Sequence, residues 1–409
     1  MRLVLFALAF FSAVAAAAQV TVGDEIVSDP LRSRVLPLSL AQPAVSIARD
    51  RTGVAIAWTM GNGAADAADR IYVARLDASG HAATVHEIPL SESGKTLYQI
   101  SPSLAPSPDG NGFVLAWLEL EQIVPAGIPT RARPLFCRLD AALTPSAPVV
   151  LYPPLPSIAP PLVRTKGDTT WIASDTLLWT LRDGTLSGPL TGIAASDMTI
   201  GTDLPQLTGG HSVKSTKFSC PGCGWCIESC RTYDPPSFSL DFVSLLTTSV
   251  SKTFSFASDA QPAIASNGND FLTVWFSGAQ ASGGDVVALR LGFGDLLRFN
   301  DLTSQAKVLA HFPADFGETR PDIASDGNGY VVVWREYRSL SNHDIVGVVI
   351  DDDGKLTPLS IATSSADERD PAILPLGGGT FLVAYEKMTG LERRIAGRFV
   401  RFGRHRAAR

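Results

Sequence analysis

Four cysteines lie close together in Cys220-Pro-Gly-Cys223-Gly-Trp-Cys226-Ile-Glu-Ser-Cys230. The C-x2-C-x2-C-x3-C spacing admits three chemistries. An iron–sulfur centre uses such a run, but a lone centre needs Cys230 to bend back as fourth ligand. Zinc would take four thiolates, with His211 in reserve, yet structural zinc sites usually draw two cysteine pairs from separate segments. Two disulfides stapling a loop with no core of its own is the favoured reading. Three pairings satisfy it equally. No metal and no cofactor is therefore expected. Trp225 inside the loop and Tyr233 beside it could form a contact platform, or Trp225 could fold onto the loop's own disulfides.

A second group of chemically able residues is charged. Arg335, Glu336, Tyr337, Arg338 and His343 crowd one segment, and Glu386, Arg393 and Arg394 crowd another. Polar residues also stand before a series of prolines: Gln42, Ser101, Gln261, Arg320 and Asp370, with Glu318, Glu368 and Arg369 close by. Gathered around one opening, they could hold a saccharide or a peptide; scattered, they are solvated loop polarity. H-E-x-x-H, G-x-S-x-G and P-loop motifs are absent, and the histidines lack metal-ligand spacing. Asp351-Asp352-Asp353-Gly354 begins like a calcium loop but lacks the later ligands, so it reads as a hairpin turn.

The elements that must position these residues are written as a repeat. Pro102–Trp117 (PSLAPSPDGNGFVLAW), Pro262–Trp275 (PAIASNGNDFLTVW) and Pro321–Trp334 (PDIASDGNGYVVVW) share a proline, a short apolar strand, a glycine-rich turn and a second apolar strand ending in an aromatic residue. A third strand and a hairpin follow, as in residues 71–80, 134–143 and 344–354. Four antiparallel strands per unit, repeated at this period, specify an all-β protein and a β-propeller. Prolines 43, 102, 161, 205, 262, 321 and 371 mark seven blades. Six is the alternative, if the cysteine segment is an insertion.

Trp58, Trp117, Trp275, Trp334 and Tyr385 end the second strands and are expected to fill the wedge between adjacent blades. The chain ends after three strands of its last blade. Residues 35–41 (VLPLSLA), which match residues 356–362 (LTPLSIA), are expected to supply the fourth from the N-terminus and leave no open edge.

The PDIASDGNGYVVVW pattern resembles the repeats of secreted bacterial β-propeller proteins. That resemblance covers most of the chain and implies the fold, without a defined activity. The Asp-box of sialidases, S-x-D-x-G-x-T-W, is not met, because Asn111 stands where its glycine should be.

Residues 1–18 read as a signal peptide, with Arg2, an apolar run and small residues before Gln19. Export to the periplasm or beyond is the expected localisation. The propeller is expected over 19–402, holding the cysteine-rich loop 219–236, with a basic tail at 403–409. A formal charge of −6 offers no case for nucleic acid, no later stretch is long enough for a membrane span, and a monomer is expected.

In a four-stranded blade the second-to-third-strand loops share one face, and here they are long and varied. Two functions from different classes fit. The first is a secreted binding or scaffold propeller that recognises a macromolecule or saccharide through those loops. The second is a propeller glycoside hydrolase or polysaccharide lyase with its site at the axial mouth of the same face.

Overall fold

The computed structural model describes residues 20–27, 45–60, 69–77, 79–93, 97–123, 129–153, 160–174, 177–191, 197–198, 206–212, 215–217, 231–233, 237–244, 249–257, 262–279, 283–292, 306–312, 321–339, 342–390 and 392–402. Every regular element among them is a strand. β1 is Val20–Val27. One sheet follows from β2 (Val45–Arg49), β3 (Val54–Met60), β4 (Arg70–Leu76) and β5 (Ala82–Glu87). The next holds β6 (Leu97–Pro106), β7 (Phe113–Ile123), β8 (Pro129–Leu139) and β9 (Val149–Val150). A third holds β10 (Leu162–Lys166), β11 (Thr169–Ser174), β12 (Leu177–Arg182) and β13 (Thr185–Thr191).

β14 (Asp197–Met198) and β15 (Gln206–Ser212) pair with β18 (Ser237–Ser244) and β19 (Ser249–Ala257). Between β15 and β18 a small ribbon joins β16 (Ser215–Lys217) to β17 (Arg231–Tyr233). Then come β20 (Ala263–Ser266), β21 (Asp270–Ala279), β22 (Gly283–Gly292) and β23 (Lys307–Phe312). They are followed by β24 (Asp322–Ser325), β25 (Tyr330–Ser339), β26 (Asn342–Ile350) and β27 (Leu356–Ala362). The last sheet combines β28 (Asp367–Gly377), β29 (Thr380–Thr389) and β30 (Glu392–Phe402) with β1, in the order β1-β30-β29-β28. All pairings are antiparallel, and the arrangement is that of a β-propeller.

Two expectations need correction. The edge of β30 that residues 35–41 were expected to cover is held by Val20–Val27, with Val20 opposite Phe402 and Val27 opposite Ala396. Residues 35–41 lie outside the described residues. Alternating Val, Ile and polar positions make 20–27 as good a strand, so the likeness to 356–362 identified the wrong N-terminal segment. Pro205 does not open an inner strand either: the strand that follows it, β15, is second in its sheet, after β14.

First strands of successive sheets pack against one another in chain order, β2 on β6, β6 on β10, β10 on β14, β14 on β20, β20 on β24 and β24 on β28, while β28 also packs on β2. Their residues are small where sheets converge: Ala48, Ala105, Ala265 and Ala324 are all buried. Of the aromatic residues expected between blades, Trp58, Trp117, Trp334 and Tyr385 pack against a neighbouring sheet. Trp117 is fully enclosed with Ala57, Val73 and Ile88 of the preceding sheet, and Tyr385 packs with Val331, Val333 and Ile345 of its own. Trp58 packs with Ala372 and Leu382 of the last sheet. Each such side chain contributes roughly 1.5–3 kcal/mol by leaving water.

Hydrogen bonds stitch the inner strands as well. Ser46 Oγ accepts the Leu104 amide at 3.0 Å, Ser103 Oγ accepts the Val163 amide at 2.9 Å, and Asp322 Oδ2 accepts the Ile373 amide at 2.9 Å. These are the same position in three sheets, each binding the next sheet. Ser103→Ala strands the amide of fully buried Val163, so urea unfolding should show a loss of about 1–3 kcal/mol.

The turn between first and second strands imposes a glycine. A Cβ on Gly112, whose φ is +116°, would sit 2.1 Å from the Leu139 carbonyl oxygen. The glycine in DGNG is therefore a packing requirement, and that turn needs no ligand to explain it.

Candidate functional site

Strand polarity places one end of β25 and β29 beside the start of β26, β28 and β30, and most of the charged candidates gather there. β25 and β26 set Glu336 opposite Asp344 and Tyr337 opposite His343. Arg338, which follows them, bonds Asp344 Oδ2 through Nε at 2.6 Å and Glu336 Oε2 through Nη2 at 2.6 Å. The Tyr337 and His343 rings meet edge to face, with centroids 5.4 Å apart.

The next sheet adds its own charges. His343 Nδ1 lies 2.6 Å from Asp367 Oδ1, and Arg369 Nη2 lies 2.6 Å from Asp367 Oδ2. A carboxylate can only accept here, so Nδ1 carries a proton, and in the neutral ring Nε2 has the lone pair. Burial works against charge on Asp367, but the bonds from His343 and Arg369 outweigh it and pull its pKa to about 2. Glu386 on β29 takes a bond from Arg393 Nη2. Burial holds the Arg393 pKa below the ordinary arginine range, partly offset by Asp370 and Asp69.

Beneath this layer Glu368 is fully buried, its Oε1 accepting from Ser364 Oγ at 2.5 Å. Burial pushes its pKa up. Lys387 Nζ lies 3.9 Å from it and bonds Glu25 at 2.7 Å, which also accepts from Tyr385 OH at 2.8 Å. Burial disfavours a charged Glu25, yet the bonds from Lys387 and Tyr385 bring its pKa down.

Asp370 has φ +47°, a left-handed value that a non-glycine residue adopts at a cost. Ser101 matches it at +57° in the β6 sheet. Both precede a proline at a break in strand register, between Arg369 and Ala372 and between Ile100 and Ser103. Strain of this kind concentrates where a fold presents groups to a ligand.

In three of the four arginine–carboxylate contacts the carboxylate is buried; in the fourth, Glu336 is 28% exposed against 51% for Arg338. Side-chain exposure is 51% for Arg338 against 7% for Asp344, and 30% for Arg369 against 8% for Asp367. It is 22% for Arg393 against 4% for Glu386. Arg338 and Arg369 thus turn outward over buried anions, while Arg393 is largely buried.

Of the sequence candidates, Arg335, Glu336, Tyr337, Arg338, His343, Asp370 and Glu386 share this end of two adjacent sheets; Arg335 is half-buried. Tyr233 lies apart, in β17 opposite Ser215. Trp225, Arg320, Cys220, Cys223, Cys226 and Cys230 lie outside the described residues. Asp344 and Asp367 complete the cluster and were not singled out from sequence. Asp344 adjoins His343 and could have been found by pairing it across the strands with Glu336; Asp367 carries no such signal. Cys137 is a buried thiol whose pKa burial pushes up to about 12, which makes it inert. Asp351–Gly354 is a turn closed by the Gly354 amide on the Asp351 carbonyl at 2.9 Å.

No protein-family model matches the chain, and no curated protein matches it in sequence. Solved structures with a similar fold are β-propellers. The Dos1 propeller is 9% identical, over 92% of this chain and 94% of that one, with a TM-score of 0.43. The β-propeller domain of the Trilobed protease from Pyrococcus furiosus is 11% identical, over 86% and 91%, at 0.43. Trypanosoma rangeli sialidase is 9% identical, over 88% of this chain and 54% of that one, at 0.44. The chain thus spans little more than half the length of that sialidase. Likeness at this level carries no argument about function.

Proposed function

We propose that this protein is an exported binding propeller that recognises a saccharide or another polar macromolecule at the shared end of the β24–β27 and β28–β30 sheets. The observation that carries this is the outward-facing arginine layer over buried carboxylates, beside the strained Asp370. Such a surface suits a ligand with anionic or densely polar groups. A catalytic reading based on Glu368 as an acid has less support, since that side chain is sealed under Ser364 and Lys387. Seven blades, rather than six, is supported by seven four-stranded sheets and by the chain-order packing of first strands that returns to β2. Closure through β1 is supported by its pairing with β30. Export is supported by the leader-like residues 1–18, after which β1 starts almost at once. The cysteine loop, closed by two disulfides and based on the β16–β17 ribbon, is a second contact surface carrying Trp225.

Titration calorimetry of the chain from Gln19 against a panel of neutral and acidic glycans tests the reading. Arg338→Ala is expected to weaken the best ligand at least about tenfold, which is about 1.4 kcal/mol. Unchanged affinity in both Arg338→Ala and Arg369→Ala would place the ligand elsewhere.

A further inference from the structure

We propose that the ligand is a uronate-containing polysaccharide and that His343 and Tyr337 cleave it by β-elimination; this rests on the binding reading above. Three features of the cluster converge on it. First, the most exposed charges of the cluster are Arg338 at 51% and Arg369 at 30%, with Glu336 next at 28%, and the planar fork of arginine matches carboxylates. A polymer with a carboxylate on each sugar meets Arg338 and Arg369 repeatedly.

Second, His343 is built as a base. Asp367 binds Nδ1 at 2.6 Å, and its other oxygen is itself held by Arg369 at 2.6 Å. The tautomer is therefore fixed from two sides, with Nε2 as the basic nitrogen. The His343 side chain is 12% exposed. His311 makes the same 2.6 Å contact with Asp285 but is 78% exposed, an ordinary surface pair.

Third, Tyr337 is the cross-strand partner of His343, so a phenol and an imidazole lie side by side on the side of the β24–β27 sheet that meets Asp367 and Arg369. A base, an acid and a carboxylate-neutralising cation are the parts this reaction needs.

The step balances without a metal or an oxidant. His343 Nε2 takes the proton from C5 of a 4-linked uronate. The C–H electron pair becomes the C4=C5 double bond, and the C4–O bond breaks with its pair on the glycosidic oxygen. Tyr337 protonates that oxygen, leaving a reducing end on one fragment and an unsaturated uronate on the other. Arginine beside the carboxylate stabilises the charge that develops as C5 loses its proton. Solvent then returns a proton to Tyr337 and removes one from His343.

The test incubates the chain from Gln19 with polygalacturonate and with alginate, following the ultraviolet absorbance of the conjugated double bond, with binding measured in parallel. Absorbance should rise. His343→Gln and Tyr337→Phe should each slow it about 100-fold or more while binding stays within a few-fold of the parent. Asp367→Asn, a positioning change, should alter the pH profile, and His311→Gln should change nothing. Melting temperatures show whether each variant is folded; Tyr337→Phe keeps the ring and so its packing. Polymer bound without any double bond overturns the elimination and leaves the binding reading standing. New reducing ends without absorbance also overturn it, in favour of hydrolysis. Absence of binding removes both, and full activity in His343→Gln places the chemistry elsewhere.

Discussion

Glu119→Leu should lower stability by about 3–5 kcal/mol, the usual cost of removing one partner of a buried ion pair. Glu119 is fully buried and stands directly opposite Arg133 across β7 and β8. Its Oε1 accepts from Arg133 Nη2 at 2.7 Å and Nε at 3.0 Å, and its Oε2 accepts from the Ser91 amide at 3.2 Å. Burial disfavours the Arg133 cation, but Glu92 and Glu119 together hold its pKa above the ordinary range. Without Glu119 the guanidinium keeps only Glu92, at 2.6 Å and nearer the solvent. The check is urea denaturation, with a shifted midpoint at constant slope. Arg133→Met added to Glu119→Leu should recover part of the loss, because the uncompensated charge leaves with it. A double-variant loss equal to the sum of the two single losses would mean that the pair is not coupled.

Asp50 is expected to be the other heavy loss, and to show in the pH dependence. Its Oδ1 accepts from the Thr52 amide and hydroxyl at 2.8 Å each and from the Gly53 amide at 2.9 Å. Arg75 grips both oxygens, at 3.1 and 2.8 Å, and the Gly112 amide in the next sheet reaches Oδ2 at 2.9 Å. One carboxylate thus closes its own turn and fastens the neighbouring blade. Burial opposes its charge, yet the bonds from Arg75 and Thr52 win and bring its pKa from 3.8 to about 2. A pKa depressed on folding contributes stability that is complete above the unfolded value and is lost as pH falls through the folded one. Asp50 and Asp367 should therefore make stability fall between about pH 4 and pH 2. Asp50→Ala should cost about 3 kcal/mol or more at neutral pH and give a shallower decline on acidification, measured by thermal unfolding across that range. An acid limb identical to the parent's would show that other carboxylates control it.

The fold was legible because the repeat encodes it twice. Period and turn glycines give the strands, and the aromatic at the end of each second strand tells which face meets a neighbour, as Trp58, Trp117 and Tyr385 bear out. The N-terminal partner of β30 was harder, since an edge strand needs only a few alternating apolar residues and two nearby segments offer them. The candidate site was legible as a neighbourhood. Arg338 and His343 announced a charged sector, but which carboxylate each would meet depends on strand register and on the breaks at Ser101 and Asp370. Asp367, the group that joins the two sheets, looks in sequence like any loop aspartate.

The contact between Glu25 and Tyr385 spans 360 positions of the chain. β1 is thus paired with a strand made long after it. Closing so long a loop is entropically slow. During synthesis Val20–Val27 waits for β30 while the sheets between them in the chain fold. The sheet of β1 and β28–β30 is complete only once β30 has been made, and the edges it covers stay open to misassociation until then.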